Sequence, residues 1–456
     1  SDNIVLGNSS KILGASSKVT SSANIAIGNA AAVAGGQGNI SMGNAAATAG
    51  GEANIALGNL AANAGGVGNI AMGNAAINGA GTGSIAIGNG AGSGAAAGII
   101  AMGNGAAVGA AQGAIAIGNA AAVGKSGSKD AEGSIAIGNA AVAKNGDNQI
   151  ALGNKVKVTS TGGIAMGDTA SVSADDAIGI GSKVNISGEG GIAIGGEVEV
   201  SAEGGIAIGG ESNVETEHGI AIGHNAEVLD CLGNDCSASD SDSDADSSDE
   251  QTTASPMGIA IGAESTAHAN GGIAIGYGNV SSANSSISIG TNSIANQSNA
   301  MAWGASARAI AEGAISVGTA ASSNSNHAIA IGTTAVSSAT NATALGHSAT
   351  ASSERSTALG IGATANELNA TALGHNSTAN SVNATAFGHE SVATAENAWA
   401  IGHGSSATAT HSKALGFESS ASAPNAWAQG TQATAAAENS LAVGQGSSVS
   451  AAGDNA

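Results

Sequence analysis

A short apolar motif, Ile-Ala-Ile-Gly or a close variant of it, recurs along almost the whole chain at a nearly fixed interval. The glycine that ends the motif, here called the repeat glycine, recurs at every fifteenth position early in the chain and at every fourteenth position later; examples are Gly28, Gly43, Gly58, Gly276 and Gly346. A short fixed period is typical of a solenoid, in which each repeat forms one coil that stacks on its neighbours. The pattern predicts an all-β parallel β-solenoid of roughly 30 coils, each with two short strands and two turns.

Large apolar residues alternate with Ala or Ser immediately before the repeat glycine, as in Ile25, Ala26 and Ile27. Because successive side chains of a strand point to opposite faces, this alternation predicts that both isoleucines face the core of a narrow roll. Small residues after the glycine, such as Ala31 and Val33, are expected to form the opposite wall. The second strand is apolar at both alternating positions, so we expect its outer side to need a partner chain.

The repeat glycine and the residue after it are interpreted as structural rather than catalytic. Glycine tolerates a positive φ at a tight corner and lets two stretches of backbone approach closely. In the N-terminal part an asparagine follows, as at Asn29 and Asn44. Asparagine also tolerates the left-handed region, and it forms side-chain ladders in stacked coils.

Composition and charge exclude several classes of function. The 456 residues include 73 Gly but only 1% aromatic residues, too few to fill an ordinary globular core. The formal net charge of −22 disfavours binding to nucleic acid and to anionic membrane surfaces. No apolar run approaches the roughly 20 residues of a membrane helix, so no membrane span is predicted. No Ser-His-Asp set, P-loop or HExxH motif is evident, so we expect neither an enzyme nor a resident cofactor.

An insertion at 227–257 interrupts the repeats and divides them into an N-terminal roll at 1–226 and a C-terminal roll at 258–456. It begins with Cys231 and Cys236, whose closeness in sequence predicts a local disulfide in an oxidising compartment. Two free thiols in a loop are the other interpretation.

The same insertion contains an acidic alternation that suggests calcium. Carboxylate oxygens are the ligands that calcium takes, although the glycine and glutamate of a calcium-binding loop are missing. A solvated, disordered acidic loop is the other interpretation. The candidate ligands are Asp240, Asp242, Asp244 and Asp246.

Two positions of the repeat change character in the C-terminal roll. Three residues before the repeat glycine, four successive coils carry threonine. This threonine row is interpreted either as a surface for ordered water or ice, or as a stack whose methyl groups lie in the core. Its members are Thr343, Thr357, Thr371 and Thr385, and Trp399, Lys413 and Trp427 follow in the same column. Lys413 implies that this row meets solvent or a partner. One residue after the glycine, histidines suggest an anion or a transition metal, or else ordinary surface residues; they are His347, His375, His389 and His403, with His224 earlier.

Three segments carry a family resemblance: SANIAIGNAAAVAGG at 22–36, NGGIAIGYGNVSSA at 270–283 and NATALGHSATASSE at 341–354. They resemble the head repeats of trimeric autotransporter adhesins, the YadA-like head, and the resemblance covers nearly the whole chain outside its insertions. It implies a left-handed parallel β-roll and a homotrimer. It also implies an extracellular or cell-surface location and binding to a host or matrix surface.

The sequence thus favours an extracellular adhesin-like head that binds a surface or matrix through its repetitive roll. A self-assembling structural filament or sheath subunit, whose partner is another copy of the chain, is the alternative. An ice- or mineral-binding solenoid is a third interpretation, based on the threonine row.

Overall fold

The computed structural model describes residues 2–14, 21–124, 131–229, 257–268 and 271–450. These residues form short parallel strands and turns, with no helix among them. The chain divides into two compact units, Ser1–His218 and Gly219–Ala456. In each unit every coil contributes one strand to a first sheet and the following strand to a second sheet. The predicted all-β parallel solenoid is therefore confirmed.

In both units the odd-numbered strands belong to the first sheet and the even-numbered strands to the second. The described part of the first unit contains fourteen such pairs: β1 (Ile4–Leu6), β2 (Lys11–Ile12), β3 (Ile25–Ile27), β4 (Ala32–Val33), β5 (Ile40–Met42), β6 (Ala47–Thr48), β7 (Ile55–Leu57), β8 (Ala62–Asn63), β9 (Ile70–Met72), β10 (Ile77–Asn78), β11 (Ile85–Ile87), β12 (Gly92–Ser93), β13 (Ile100–Met102), β14 (Ala107–Val108), β15 (Ile115–Ile117), β16 (Ala122–Val123), β17 (Ile135–Ile137), β18 (Val142–Ala143), β19 (Ile150–Asn154), β20 (Lys157–Val158), β21 (Ile164–Asp168), β22 (Ser171–Val172), β23 (Ile178–Ser182), β24 (Asn185–Ile186), β25 (Ile192–Gly196), β26 (Glu199–Val200), β27 (Ile206–Ile208) and β28 (Asn213–Val214).

The second unit repeats the same plan. Its described residues contain fifteen pairs: β29 (Ile220–Ile222), β30 (Glu227–Leu229), β31 (Ile259–Ile261), β32 (Thr266–His268), β33 (Ile273–Tyr277), β34 (Val280–Ser281), β35 (Ile287–Thr291), β36 (Ile294–Ala295), β37 (Met301–Trp303), β38 (Arg308–Ala309), β39 (Ile315–Val317), β40 (Ser322–Ser323), β41 (Ile329–Ile331), β42 (Val336–Ser337), β43 (Thr343–Leu345), β44 (Thr350–Ala351), β45 (Thr357–Leu359), β46 (Thr364–Ala365), β47 (Thr371–Leu373), β48 (Thr378–Ala379), β49 (Thr385–Phe387), β50 (Val392–Ala393), β51 (Trp399–Ile401), β52 (Ser406–Ala407), β53 (Lys413–Leu415), β54 (Ser420–Ala421), β55 (Trp427–Gln429), β56 (Thr434–Ala435), β57 (Leu441–Val443) and β58 (Ser448–Val449).

Equivalent residues of consecutive coils lie side by side, because neighbouring strands of each sheet pair in parallel and in register. In the early coils, where the period is fifteen residues, Ile25 pairs with Ile40, the equivalent residue of the next coil. In later coils, where the period is fourteen residues, Ile164 pairs with Ile178. Every position of the repeat therefore forms a column of side chains, and the predicted change of period is confirmed.

The interior of the roll is built from small side chains. In the first coils Ala26, Ala31 and Val33 are fully buried. Burial of Ala31 and Val33, which follow the repeat glycine Gly28, agrees with the prediction that they form one wall of the core. Ile25 and Ile27, in contrast, point outward and are half-buried. The prediction that these isoleucines face the core is therefore wrong.

The reason is the lack of space between the two sheets. Gly179 occupies the inner position that is Ala26 in the first coils. A Cβ added to Gly179 would lie 3.0 Å from Cγ2 of Val172 and 3.1 Å from Cγ1 of Val184. At such distances even a methyl group requires its neighbours to shift by a few tenths of an ångström, and an isoleucine side chain does not fit, because protein interiors are close-packed.

The prediction that the outer side of the second strand needs a partner chain stays a prediction. The outward residues of the second sheet are mostly small, and Ala32 and Ala47 are half-buried examples. Large outward apolar side chains are concentrated on the first sheet instead; Met42 is 40% exposed and Trp303 is 56% exposed. The larger outward apolar side chains therefore lie mainly on the first sheet.

Each repeat glycine lies where consecutive coils approach most closely. Gly28, Gly43, Gly58, Gly276 and Gly346 have φ values between 127° and 141°, in the left-handed region that favours glycine. A Cβ on any of them would overlap the carbonyl oxygen of the repeat glycine in the next coil. Any other residue at this position would clash with the backbone of the next coil and would also strain its own backbone.

Replacing one repeat glycine should destabilise the roll far more than replacing a glycine two residues away. Gly88→Ala would place Cβ against the carbonyl oxygen of Gly103 at φ 138°, and we expect a loss of about 3 kcal/mol or more in the free energy of unfolding. Gly90 has φ 66° with open space around it, so Gly90→Ala should cost about 1 kcal/mol or less. Urea unfolding followed by circular dichroism measures both; equal costs would contradict this role of the repeat glycine.

A column of buried asparagines closes one corner of the early coils, and the sequence analysis missed it. Asn54 is fully buried. Its Nδ2 donates to the carbonyl oxygens of Gly50 and Gly66, both at 3.0 Å. Its Oδ1 accepts the N–H of Asn69 at 3.0 Å. Asn54 thereby satisfies backbone groups that would otherwise be buried without partners. The signal was present in the sequence as the Asn that immediately precedes the apolar motif in four early coils, at Asn24, Asn39, Asn54 and Asn69.

Two asparagines of one coil provide a matched test of this corner. Asn54→Ala removes the partners of the Gly50 carbonyl and the Asn69 N–H and one of two partners of the Gly66 carbonyl, so we expect the free energy of unfolding to fall by about 2 kcal/mol or more. Asn59 lies in an exposed ladder and donates to Oδ1 of Asn74 at 2.9 Å. Asn59→Ala should change the stability by about 0.5 kcal/mol or less. A larger loss for Asn59→Ala than for Asn54→Ala in thermal or urea unfolding would refute the assignment.

Candidate interaction face

The outer face of the first sheet is formed by three columns, which lie three residues before, one residue before and one residue after each repeat glycine. The first two columns are the end residues of strands such as Ile25–Ile27, and isoleucine, leucine and methionine dominate them in both units. Among the described strands, Lys413 is the only charged residue in these two columns. A continuous apolar surface with so few charges is typical of a protein–protein interface.

All six aromatic residues of the chain lie in these three columns, and all are in the second unit. They are 38% to 56% exposed, although aromatic side chains carry the largest apolar area. Their concentration on one face makes this face the candidate interaction surface of the second unit. The six are Tyr277, Trp303, Phe387, Trp399, Phe417 and Trp427.

The outer face of the second sheet has a different chemistry. In the second unit its outward column contains small polar side chains, such as the half-buried Thr350, Thr364 and Thr378. Charged residues also occur in this column, including the exposed Glu199 in the first unit and Arg308 in the second. In the second unit the two sheets therefore present one apolar and one more polar side to the surroundings.

A lysine between two tryptophans interrupts the apolar columns near the end of the second unit. The Nζ atom of Lys413 lies 5.4 Å from the ring centroid of Trp399 and 5.1 Å from that of Trp427. Both distances are within the range of a cation–π interaction. Asn397, Trp399, His411, Lys413 and Trp427 help to line a shallow groove of about 530 Å³ here. The expectation that this row meets solvent or a partner agrees with the position of Lys413 on the outer face.

The threonine row lies on the same outer face. Thr343, Thr357, Thr371 and Thr385 pair in register on successive coils and are half-buried. Ala residues such as Ala344 fill the interior beside them. The interpretation that the threonine methyl groups pack in the core is therefore wrong, because these side chains point away from it.

Aromatic rings stack in the column after the repeat glycine. The ring centroids of His375 and His389 are 4.9 Å apart, and those of His389 and His403 are 4.8 Å apart with planes 6° from parallel. Phe417 stacks on His403 at 5.1 Å. His347 is separated from this stack by Ile361 in the intervening coil. The structure thus groups three of the predicted histidines and leaves His347 outside the group.

Ionic contacts are few and lie at exposed corners. Lys183 and Glu197 form an ion pair between consecutive coils of the first unit. The hydrogen bond and charge of Glu197 raise the pKa of Lys183. In the second unit, a hydrogen bond to Glu264 raises the pKa of Tyr277. Exposed contacts of this kind add little stability, so the coils are held together mainly by the backbone and by packing.

Several predicted features lie outside the described residues. Cys231, Cys236 and the acidic run from Asp240 to Asp246 are among them, so the disulfide and the calcium site stay predictions. The boundaries of the predicted insertion also stay a prediction. Within the range assigned to it, Glu227–Leu229 forms a strand that pairs with Thr266–His268. Among the described residues, no helix is long and apolar enough to cross a membrane.

Comparison with known families agrees with the geometry. The family model described as "YadA head domain repeat (2 copies)" matches the chain at residues 130–155, 201–226, 257–279, 337–363, 365–391, 393–419 and 421–447. No curated protein matches the chain. The matched segments fall in both units and coincide with coils of the roll. The resemblance to the YadA-like head is therefore confirmed.

Proposed function

We propose that this chain forms an adhesin-like head at a cell surface and that three copies pack together through the outer face of the first sheet. The observation that carries the proposal is the concentration of large apolar side chains, including all six aromatic residues, on this one face. The YadA head repeats support it, since heads of this family belong to surface-exposed, trimeric adhesins.

The thin core gives a physical reason for assembly. The interior is made largely of alanine, for example Ala358, Ala372 and Ala386. Alanine removes little apolar area from water, whereas burial of larger side chains contributes about 25 cal/mol for each Å². Isoleucine, leucine and aromatic side chains provide that area only on the outer face. Packing three identical faces around one axis would cover it in a closed oligomer that cannot grow further.

The polar side of the roll would then remain free to bind a host or matrix surface. The rows of threonine on the second sheet, and ladders such as Asn366 to Asn380 at 3.0 Å, repeat the same group at every coil. Repetition makes many weak contacts act together, because each contact raises the effective concentration for the next. We infer that the chain is not an enzyme, since its surface repeats the same few side chains from coil to coil and its sequence contains no evident Ser-His-Asp set, P-loop or HExxH motif.

A charge on the outer face should separate the three chains. Leu373 and Thr378 belong to the same coil, and both are half-buried, one on the outside of each sheet. We expect Leu373→Glu to convert the trimer to monomers, because a buried, unpaired carboxylate is very costly. Thr378→Glu should leave three chains together. Light scattering after size exclusion measures the mass, and circular dichroism checks that both variants are folded.

Three chains in folded Leu373→Glu, or separation by Thr378→Glu alone, would contradict this interface.

Tryptophan fluorescence distinguishes the trimer from the filament. All three tryptophans, Trp303, Trp399 and Trp427, lie on the outer face. In the trimer we expect acrylamide to quench them several-fold less than in the Leu373→Glu monomer, since the partner chains exclude the quencher. End-to-end growth would leave the outer face open and the quenching equal to that of the monomer. Equal quenching together with masses above three chains would favour the filament.

A further inference from the structure

We propose that His389, His403 and Glu390 form a binding site for a divalent transition-metal ion such as Zn²⁺. The site lies just after two consecutive repeat glycines of the second unit, where the column of stacked rings runs along the roll. The proposal does not require the adhesin function or the trimer, because all three side chains belong to one chain and are exposed in it.

The three side chains are already close together. One ligand atom from each lies within 4.8 Å of the others. Nε2 of His389 is 3.9 Å from Oε1 of Glu390. Two nitrogens that bind one tetrahedral zinc ion are roughly 3.4 Å apart, given Zn–N distances of about 2.0–2.1 Å. The exposed side chains can rotate about their χ angles and bring their ligand atoms to this distance. The stacking of the two imidazole rings is then replaced by coordination of the ion.

The backbone fixes the spacing of the two histidines in advance. The N–H of Gly402 donates to the carbonyl oxygen of Phe387 at 2.8 Å, and that of Gly404 donates to the carbonyl oxygen of His389 at 2.8 Å. The backbone before and after His403 is thus tied to the coil that contains His389. A metal ion would therefore bind two imidazoles without ordering any backbone, which favours chelation.

The glutamate distinguishes this pair from the other histidine pair in the column. Next to His375 stands Asn376, whereas next to His389 stands Glu390. In the coil after Glu390 the equivalent residue is Gly404, which has no side chain to cover the carboxylate. His389 belongs to both pairs, but among the described residues Glu390 and His389 come within 4.8 Å of a third ligand atom only at His403.

The ligand set determines the class of metal. Two imidazoles and one carboxylate suit zinc, copper and nickel, whereas calcium and magnesium prefer sites made entirely of oxygen. Three protein ligands leave the fourth tetrahedral position for water. The site would bind the ion at the surface of the roll, in the third column of the face proposed to join the three chains.

Isothermal titration with ZnCl₂ tests the site in the full-length chain. Cys231→Ser and Cys236→Ser are introduced throughout, so that thiols do not contribute to binding. We expect one zinc ion per chain at this site. Either His389→Ala or His403→Ala should weaken binding on the order of 100-fold, because the chelate effect is lost. Calcium should not compete.

His347→Ala is the matched control, since His347 occupies the same column with Ile361 as its neighbour. This variant should bind zinc with unchanged affinity. Zinc should also shift the ring proton signals of His389 and His403 in NMR spectra and leave those of His347 in place. Absence of saturable binding, equal loss in all three variants, or one ion for three chains would overturn the proposal.

Discussion

The structure depends on the close, in-register stacking of one coil on the next. Parallel strands at the usual spacing of about 4.8 Å bring consecutive repeat glycines so near each other that no Cβ fits between them. That approach lets every coil hydrogen-bond to its neighbours through the backbone, as in the bond from Ile25 N–H to the Asn39 carbonyl at 2.8 Å. A chain with few ion pairs and almost no aromatic core is held together by this repeated contact.

Close stacking is accompanied by close packing of the two sheets, and this decides where the large side chains go. The space inside a coil accepts Ala26 but not an isoleucine, so Ile25 and Ile27 are left on the outside. The result is a roll whose largest apolar surface faces outward. In the proposed trimer, assembly compensates for what the interior of a single chain lacks, and the thin core and the oligomer have one common cause.

Stacking in register also turns each position of the repeat into a column with its own chemistry. The same geometry gives an amide ladder at Asn59 and Asn74, a threonine row at Thr357 and Thr371, and a ring stack at His389. A single substitution in one coil creates an isolated group, whereas two in consecutive coils create a pair at strand spacing. New binding properties can arise in this way without any change of fold.

The sequence alone determined the solenoid, the longer early period and the shorter later one, the structural interpretation of the repeat glycine and the family resemblance, because each depends on spacing along the chain. Tertiary structure decided which side of each strand faces inward. Alternation separates Ala26 from Ile25 and Ile27 but does not say which set is buried; the distance between the sheets does. Likewise the sequence placed histidines in one column, but only the stacked coils showed that His389 and His403 adjoin while His347 stands apart.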